Sequence, residues 1–218
     1  MVQQLRFYYN PVSVNARRVW VALLEKQIPF EPILMNLDGD QFHDRFTAIN
    51  PLQRVPVIVD HDLRVVESLA ILDYLEAKYP EPPLMPIAPD AVALVRMVEM
   101  VTVIDLQPTT IPLARSMVGL DVDPQNLEAA QQRVAVILQF LEGLLRQRTY
   151  FAGERLTLAD IVAGTLVPSL PLTHYPNLRT WSERLDQRES WKQTAAQPEN
   201  ITAALPTIRT ILERRAWG

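Results

Sequence analysis

Cysteine is absent from all 218 residues, and that gap removes several chemistries together. Disulfides, a thiolate nucleophile, cysteine-type zinc sites and iron–sulfur clusters each need a residue the chain does not carry. Any sulfur chemistry must come from a substrate. Histidine is scarce too: only His43, His61 and His174 are present, with no HxxxH or HxxE spacing, so neither a histidine metal site nor a Ser-His-Asp triad has support. Positive charge is not in excess. With a formal net charge of −4 and no basic cluster, the chain offers nucleic acid no electrostatic footprint. No apolar run reaches membrane-spanning length, and MVQQLRFYYN lacks a basic region followed by an apolar core. The expectation is a cytoplasmic protein with no metal, no nucleic-acid partner and no membrane contact.

What is present reads as a folded chain in two parts. Hydrophobic residues make up 48% and charged ones 21%, without repeats or low-complexity runs, which suits one large or two small domains and excludes disorder. Residues 4–9 predict a strand, 15–27 a helix with Val19, Ala22 and Leu23 on one face, and 30–36 a second strand. A crossover of that length joins parallel strands, so 4–36 reads as a βαβ unit. After a short link at 41–49 come a strand at 55–60, a turn at His61-Asp62, a strand at 63–66 and a helix at 68–79. That order is thioredoxin-like. Pro80, Pro82, Pro83 and Pro86 then end the helix and favour an extended linker. Beyond it the chain reads as helical, at 90–116, 125–147, 157–168, 177–187 and 202–215. The expected division is 1–80, a linker at 81–89, and 90–218. The fold class is an α/β thioredoxin-like N-terminal domain followed by an all-α helical bundle.

The stretch NPLQRVPVIVDHDLRVVESLAILDYLEAKYPEPPLMP, residues 50–86, carries the most chemistry. Pro56 interrupts the apolar run Val55, Val57, Ile58, Val59, a position that suits a strand start, an edge or a cis turn. A residue before such a proline can offer its N–H and C=O to an extended peptide. Further on, Glu67-Ser68 precedes Leu69, Leu72, Leu75 and Tyr79 at helical spacing, with Ser68 expected at the N-cap. A helix start offers free N–H groups and a positive dipole end to a carboxylate.

Asn50, Pro51, Val55, Pro56, Glu67, Ser68, Ala70 and Ile71 together resemble the glutathione-site half of the glutathione transferase family, whose pattern runs Asn-Pro-x-Gly-x-Val-Pro, a hairpin, then Glu-Ser-x-Ala-Ile. Gln53 departs from the glycine, so the turn before the strand is expected to differ while the clamp itself stays. Phe151-Ala-Gly153 with Leu156-Thr157-Leu-Ala-Asp160 resembles the family's helix-capping motif, which serves folding, and Thr157 and Asp160 have capping-box spacing. Tyr175 to Trp181, with Arg184, Leu185 and Trp191, is similar to its late helical segment. Pro11-x-Ser13-x-x-x-Arg17-Arg18-Val19 is nearest to the serine-type phi and theta branches and to bacterial and cyanobacterial relatives such as the chi class. The Ser-Ser-Cys motif of the zeta-like isomerase branch is missing from 13–15.

The resemblance implies an enzyme that binds glutathione as co-substrate, activates its thiol and conjugates it to a small hydrophobic electrophile in detoxification, with room for glutathione peroxidase activity, acting as a homodimer without a cofactor. Val55 and Pro56 would hold the peptide backbone of glutathione, Glu67 and Ser68 its γ-glutamyl end, and Arg54 and Gln41 its glycyl carboxylate. The thiol donor is open among Ser13, Tyr9 and Asn15, taken in that order. Strand alternation sends only one of Tyr8 and Tyr9 toward the site, and Ser13 and Asn15 also suit helix N-caps. Arg17 or Arg18 could add positive charge. Met97, Met100, Val101 and Ile104 would line the co-substrate pocket unless they belong to the core. The alternative is a noncatalytic ligand-binding or assembly module that keeps glutathione affinity without turnover.

Overall fold

The computed structural model describes residues 4–36, 39–146 and 148–214, so Gln147 and Arg215, at the ends of two expected helices, lie outside the described residues. Two compact units emerge, Met1–Leu84 with Arg188–Asn200, and Met85–Gln187 with Ile201–Gly218. A small mixed sheet with helices forms the first, and helices form the second.

In the first unit β1 (Leu5–Tyr9), α1 (Val14–Glu25) and β2 (Phe30–Leu34) form the expected βαβ, with β1 parallel to β2 from Leu5 opposite Phe30 to Tyr9 opposite Leu34. Helix α1 starts where the Ser13 side chain accepts from the Ala16 N–H, 3.2 Å away. Its interior face carries Ala16, Val19, Ala22 and Leu23 at helical spacing, all buried. The helix stops at Gln27, whose φ of +54° lets the Gln27 and Ile28 N–H groups turn back to the Leu24 and Leu23 carbonyls. A 3-10 turn (Asp40–Phe42) and the single-turn α2 (Asp44–Thr47) lead to β3 (Val57–Asp60), β4 (Leu63–Val66) and α3 (Ser68–Lys78). The sheet order is β2-β1-β3-β4, with β3 antiparallel to both β1 and β4. β3 is therefore interior and buried at every residue. It begins at Val57 rather than at the expected 55, since Val55-Pro56 is a cis step ahead of the ladder.

Two polar ties hold the first unit around α1 and α3. Asp60 at the end of β3 accepts from the Tyr74 hydroxyl at 2.7 Å and pairs with Lys78, residues one turn apart on α3. Glu25 at the end of α1 takes a fork from Arg188, at 2.8 and 2.6 Å, and a bond from the Ser190 hydroxyl. That tie, with Arg17 reaching Thr194 and the Trp191 carbonyl, holds α10 (Glu189–Thr194), a helix the sequence pattern did not indicate. The proline-rich segment is also held, by Lys26 donating to the Pro82 carbonyl at 2.8 Å and the Leu84 N–H donating to Glu76 at 3.0 Å.

In the second unit the expected helix 90–116 is segmented. Helix α4 (Pro89–Met100) passes into a π-helical turn (Val101–Leu106), the short α5 (Gln107–Thr109) and α6 (Ile111–Met117). Pro108 and Pro112 account for the breaks, because each lacks an N–H and crowds the carbonyl four residues back. Helices α7 (Pro124–Leu145), α8 (Leu158–Gly164), α9 (Pro176–Asp186) and α11 (Pro198–Arg214) complete the chain. Val134, Leu138 and Leu141 of α7, Ile161 and Val162 of α8 and Trp181 of α9 are among its core side chains. Asp160 is fully buried among four donors: the Phe151 and Thr157 N–H groups, the Thr157 hydroxyl and the Trp181 indole. The capping box is thus present and extends to α9.

The Asp60 tie makes stability depend on pH. Burial alone would raise its carboxyl, but donation from Lys78 and Tyr74 outweighs burial and holds it below the usual carboxylate range. The unfolded chain then binds more protons, so the stabilisation is complete above about pH 4 and lost as the pH falls through the folded value. Asp60→Asn should cost about 1–2 kcal/mol at pH 7, discounting the partly exposed Lys78 for solvent screening. Below about pH 4 it should lose less further stability than the parent. Urea midpoints across the acid range check this, and parallel declines in the two proteins contradict it.

Candidate functional site

Two turns of the same design shape one end of the first unit. In Asn10-Pro11-Val12 the Asn10 side chain accepts from the Val12 N–H at 3.0 Å and donates to the Met35 carbonyl at 2.7 Å. In Asn50-Pro51-Leu52 the Asn50 side chain accepts from the Leu52 N–H at 3.0 Å and donates to the Arg54 carbonyl at 2.7 Å. Each asparagine mimics a backbone turn with its oxygen and pins a second strand of chain with its amide nitrogen. The first places Ser13 at the start of α1. The second fixes the backbone that enters Val55.

Val55 is buried and joined to Pro56 by a cis peptide, and no hydrogen bond from any described residue reaches its N–H or C=O. These are the groups that an extended peptide would pair with. Gln53 takes φ +56°, so the departure from glycine leaves the left-handed backbone in place at a cost of roughly 1 kcal/mol. Its N–H bonds the Asn50 carbonyl at 3.0 Å.

Ser68 is buried, but it is the first residue of α3 rather than its cap. Glu67 holds the cap position with φ +67° and ψ 122°, and its carbonyl accepts the first helical bond from Ile71 at 2.9 Å. A non-glycine residue in that region costs on the order of 1–3 kcal/mol and is characteristic of ligand clamps. Glu67 is exposed, and the first N–H groups of α3, those of Ser68, Leu69 and Ala70, have no acceptor within the helix, as at any helix start.

The three thiol-donor candidates are placed differently. Ser13 is half-buried, and because its oxygen accepts from Ala16, the hydroxyl hydrogen is free to donate elsewhere. Asn15 gives its side-chain oxygen to Arg18 at 2.7 Å. Tyr9 is half-buried with its ring 4.8 Å from Trp20 and 5.3 Å from Phe7. Trp20 lies two helical turns beyond Ser13, about 10 Å along α1, so the Tyr9 ring packs along the helix rather than at its start. Tyr8 packs against Phe46 on the other face.

Arg17 and Arg18 diverge. Arg17 reaches Thr194 and Trp191, while Arg18 is fully buried and its Nη1 donates to Asn15 at 2.7 Å and to the Ser68 hydroxyl oxygen at 3.5 Å. Gln41 is buried in the 3-10 turn and Arg54 is exposed beside Val55. Met97, Met100 and Ile104 are exposed, at 39%, 41% and 68%, and Val101 is half-buried, so they form an apolar stripe on the surface of the second unit rather than part of its core. The sequence reading gave Asn10 and Asn50 no structural role. The repeated Asn-Pro-apolar triplet was the available signal.

The N-terminal domain pattern of the glutathione S-transferases matches residues 7–83, and their C-terminal domain pattern matches residues 106–189. Glutathione S-transferase 3 of Zea mays is 31% identical over 93% of this chain and 95% of its own. Human glutathione S-transferase theta-1 is 32% identical over 84% of this chain and 82% of its own. A solved glutathione S-transferase of Methylobacterium radiotolerans, in complex with glutathione sulfonate, is 32% identical, with a TM-score of 0.74 over 89% of this chain and 97% of that one.

The Asn50 turn generates a stability test. Asn50→Ala strips partners from the Leu52 N–H and the Arg54 carbonyl and should cost about 2–3 kcal/mol in thermal or urea unfolding. Asn50→Asp keeps the acceptor but turns a carboxylate toward that carbonyl, so at pH 7 it too should be destabilised, recovering in part near about pH 4 as the acid protonates and donates. Two variants as stable as the parent would contradict the role given to Asn50.

Proposed function

Since the chain belongs to the glutathione S-transferase family, we propose that it binds glutathione in the first unit, ionises the thiol with the Ser13 hydroxyl and transfers the thiolate to a hydrophobic electrophile. The observation that carries this reading is the set of unspent donors on three segments of the first unit: the Ser13 O–H at the start of α1, the Val55 N–H at the cis step and the first N–H groups of α3. The cysteinyl backbone pairs with Val55, as an added strand would. The γ-glutamyl carboxylate meets Ser68 and the first N–H groups of α3, with Glu67 toward the ammonium, and Arg54 and Gln41 serve the glycyl carboxylate.

The demand on Ser13 is modest. A free thiol with a pKa near 8.5 is only about 3% thiolate at pH 7, so ionising it fully yields roughly 30-fold more nucleophile. One hydroxyl donor and the positive end of α1 are suited to that task. The rest of the acceleration comes from holding the electrophile against sulfur. The exposed stripe of Met97, Met100, Val101 and Ile104 has the chemistry for an uncharged apolar co-substrate. Addition or substitution at electrophilic carbon is the proposed reaction, with peroxide reduction as a second activity. Among the described residues no helix is long and apolar enough to cross a membrane, and action in the cytoplasm is proposed.

A conjugation assay with aromatic halides and isothiocyanates tests the activity, and no turnover on the whole panel would contradict it. Ser13→Ala should raise the pKa of bound glutathione and lower turnover at pH 7 by about tenfold, with partial recovery as the pH rises and little change in glutathione affinity. Thiolate absorbance and conjugation rate against pH measure this alongside Tyr9→Phe and Asn15→Ala. A Ser13→Ala curve overlying the parent passes the role to whichever variant shifts. A homodimer is also proposed, and sedimentation at the 24.9 kDa of one chain at micromolar concentration would rule it out.

A further inference from the structure

The geometry points to Arg18 as a positioning residue that couples the two ends of the glutathione site, a role that rests on the proposed glutathione reading. Its side chain is fully buried, and a buried guanidinium is strongly destabilising unless its donors are partnered. Two of the partners come from opposite ends of the site. Asn15, in the first turn of α1, gives its oxygen at 2.7 Å, and Ser68, the first residue of α3, gives its hydroxyl oxygen at 3.5 Å.

The direction of these bonds is what matters. Arginine donates and never accepts, so the Ser68 oxygen faces Arg18 as an acceptor and its hydroxyl hydrogen is turned to another partner. Ser68 is thereby held as a donor, the polarity a carboxylate needs. Ser13 is set in the same sense by a different group, the Ala16 N–H. Arg18 sits five residues into the helix that Ser13 caps, and rigid helical spacing carries its position to the thiol-binding turn. A carboxylate seated on Ser68 shortens the long Arg18 contact by polarising the hydroxyl, and through Asn15 the same guanidinium holds the start of α1. Occupancy of the γ-glutamyl end and orientation of the thiol end therefore share one buried cation, although no described hydrogen bond joins Asn15 directly to Ser68.

Arg18→Gln, Arg18→Lys, Ser68→Ala and the Arg18→Gln/Ser68→Ala double variant test this on the full-length protein, by titration calorimetry with glutathione and by thiolate absorbance of bound glutathione against pH. Arg18→Gln should weaken glutathione by about tenfold and raise the bound thiol pKa, although the residue is not at the thiol. Arg18→Lys, which keeps the charge but loses the fork, should recover only part of the loss. The double variant should bind no more than about twofold worse than the weaker-binding of the two single variants, because Arg18 acts at the γ-glutamyl end through Ser68. Full multiplication of the two single effects, or a folded Arg18→Gln with parental affinity and thiol pKa, overturns the inference. If Arg18→Gln does not fold, an Asn15→Ala and Ser68→Ala cycle reads the same coupling: non-additive losses support it and additive ones overturn it. Failure of the parent protein to bind glutathione would instead strike the functional proposal itself.

Discussion

The first unit depends on two asparagine side chains that each close a proline turn with one oxygen and pin a neighbouring carbonyl with one amide nitrogen. Proline at 11 and 51 fixes one torsion in each turn, and a main-chain bond closes each, from the Ser13 N–H to the Asn10 carbonyl at 3.1 Å and from the Gln53 N–H to the Asn50 carbonyl at 3.0 Å. To that closure the asparagine side chain adds an acceptor for the N–H two residues on and a donor to a carbonyl outside the turn. Because Asn50 fixes the Arg54 carbonyl, the backbone of Val55 is presented at a set angle. Because Asn10 fixes the end of β2, Ser13 meets the start of α1 with its acceptor side occupied. The donors at the proposed site are oriented by these turns before any ligand arrives, which is the condition for electrostatic stabilisation at low reorganisation cost.

The lack of cysteine gives this preorganisation its purpose. A protein without its own thiol can act on sulfur only by changing the ionisation and placement of the substrate's, and both tasks call for donors and cations rather than nucleophiles. The site follows that rule. Ser13 and Ser68 each have an oxygen lone pair engaged by a protein N–H, and Arg18 contributes a cation that solvent does not reach. The strained backbone at Glu67 fits the same account, since it stands directly before the first N–H groups of α3, which no side chain of the cap residue engages.

Much of this was legible in the residues. The apolar alternation and helical spacing located β1, α1, β2, the hairpin and α3 within a few positions, and Thr157 with Asp160 announced the capping box that the structure contains. The losses have physical causes. Ser68 looked like a cap because serine is a strong N-cap residue, but the positive φ at Glu67 moves the helix start by one, and no residue type signals that at a glutamate. The helix expected at 90–116 breaks because periodicity continues through Pro108 and Pro112 even where the hydrogen-bond ladder cannot. Helix α10 is only six residues long, too short for a periodic signal, and it is held by Glu25 and Arg17, far away in sequence. Arg18 was visible as a charge but not as a buried one. Its place one turn before Ala22 and beside Val19 on the inward face was the only hint.

The account is tested most directly by a crystal structure of this protein with glutathione. The sulfur should lie within about 3.5 Å of the Ser13 hydroxyl oxygen, with the cysteinyl N–H and C=O paired to Val55 and the γ-glutamyl carboxylate on Ser68. Glutathione seated away from the Val55-Pro56 step, or a sulfur held by the Tyr9 hydroxyl with Ser13 out of reach, would contradict it.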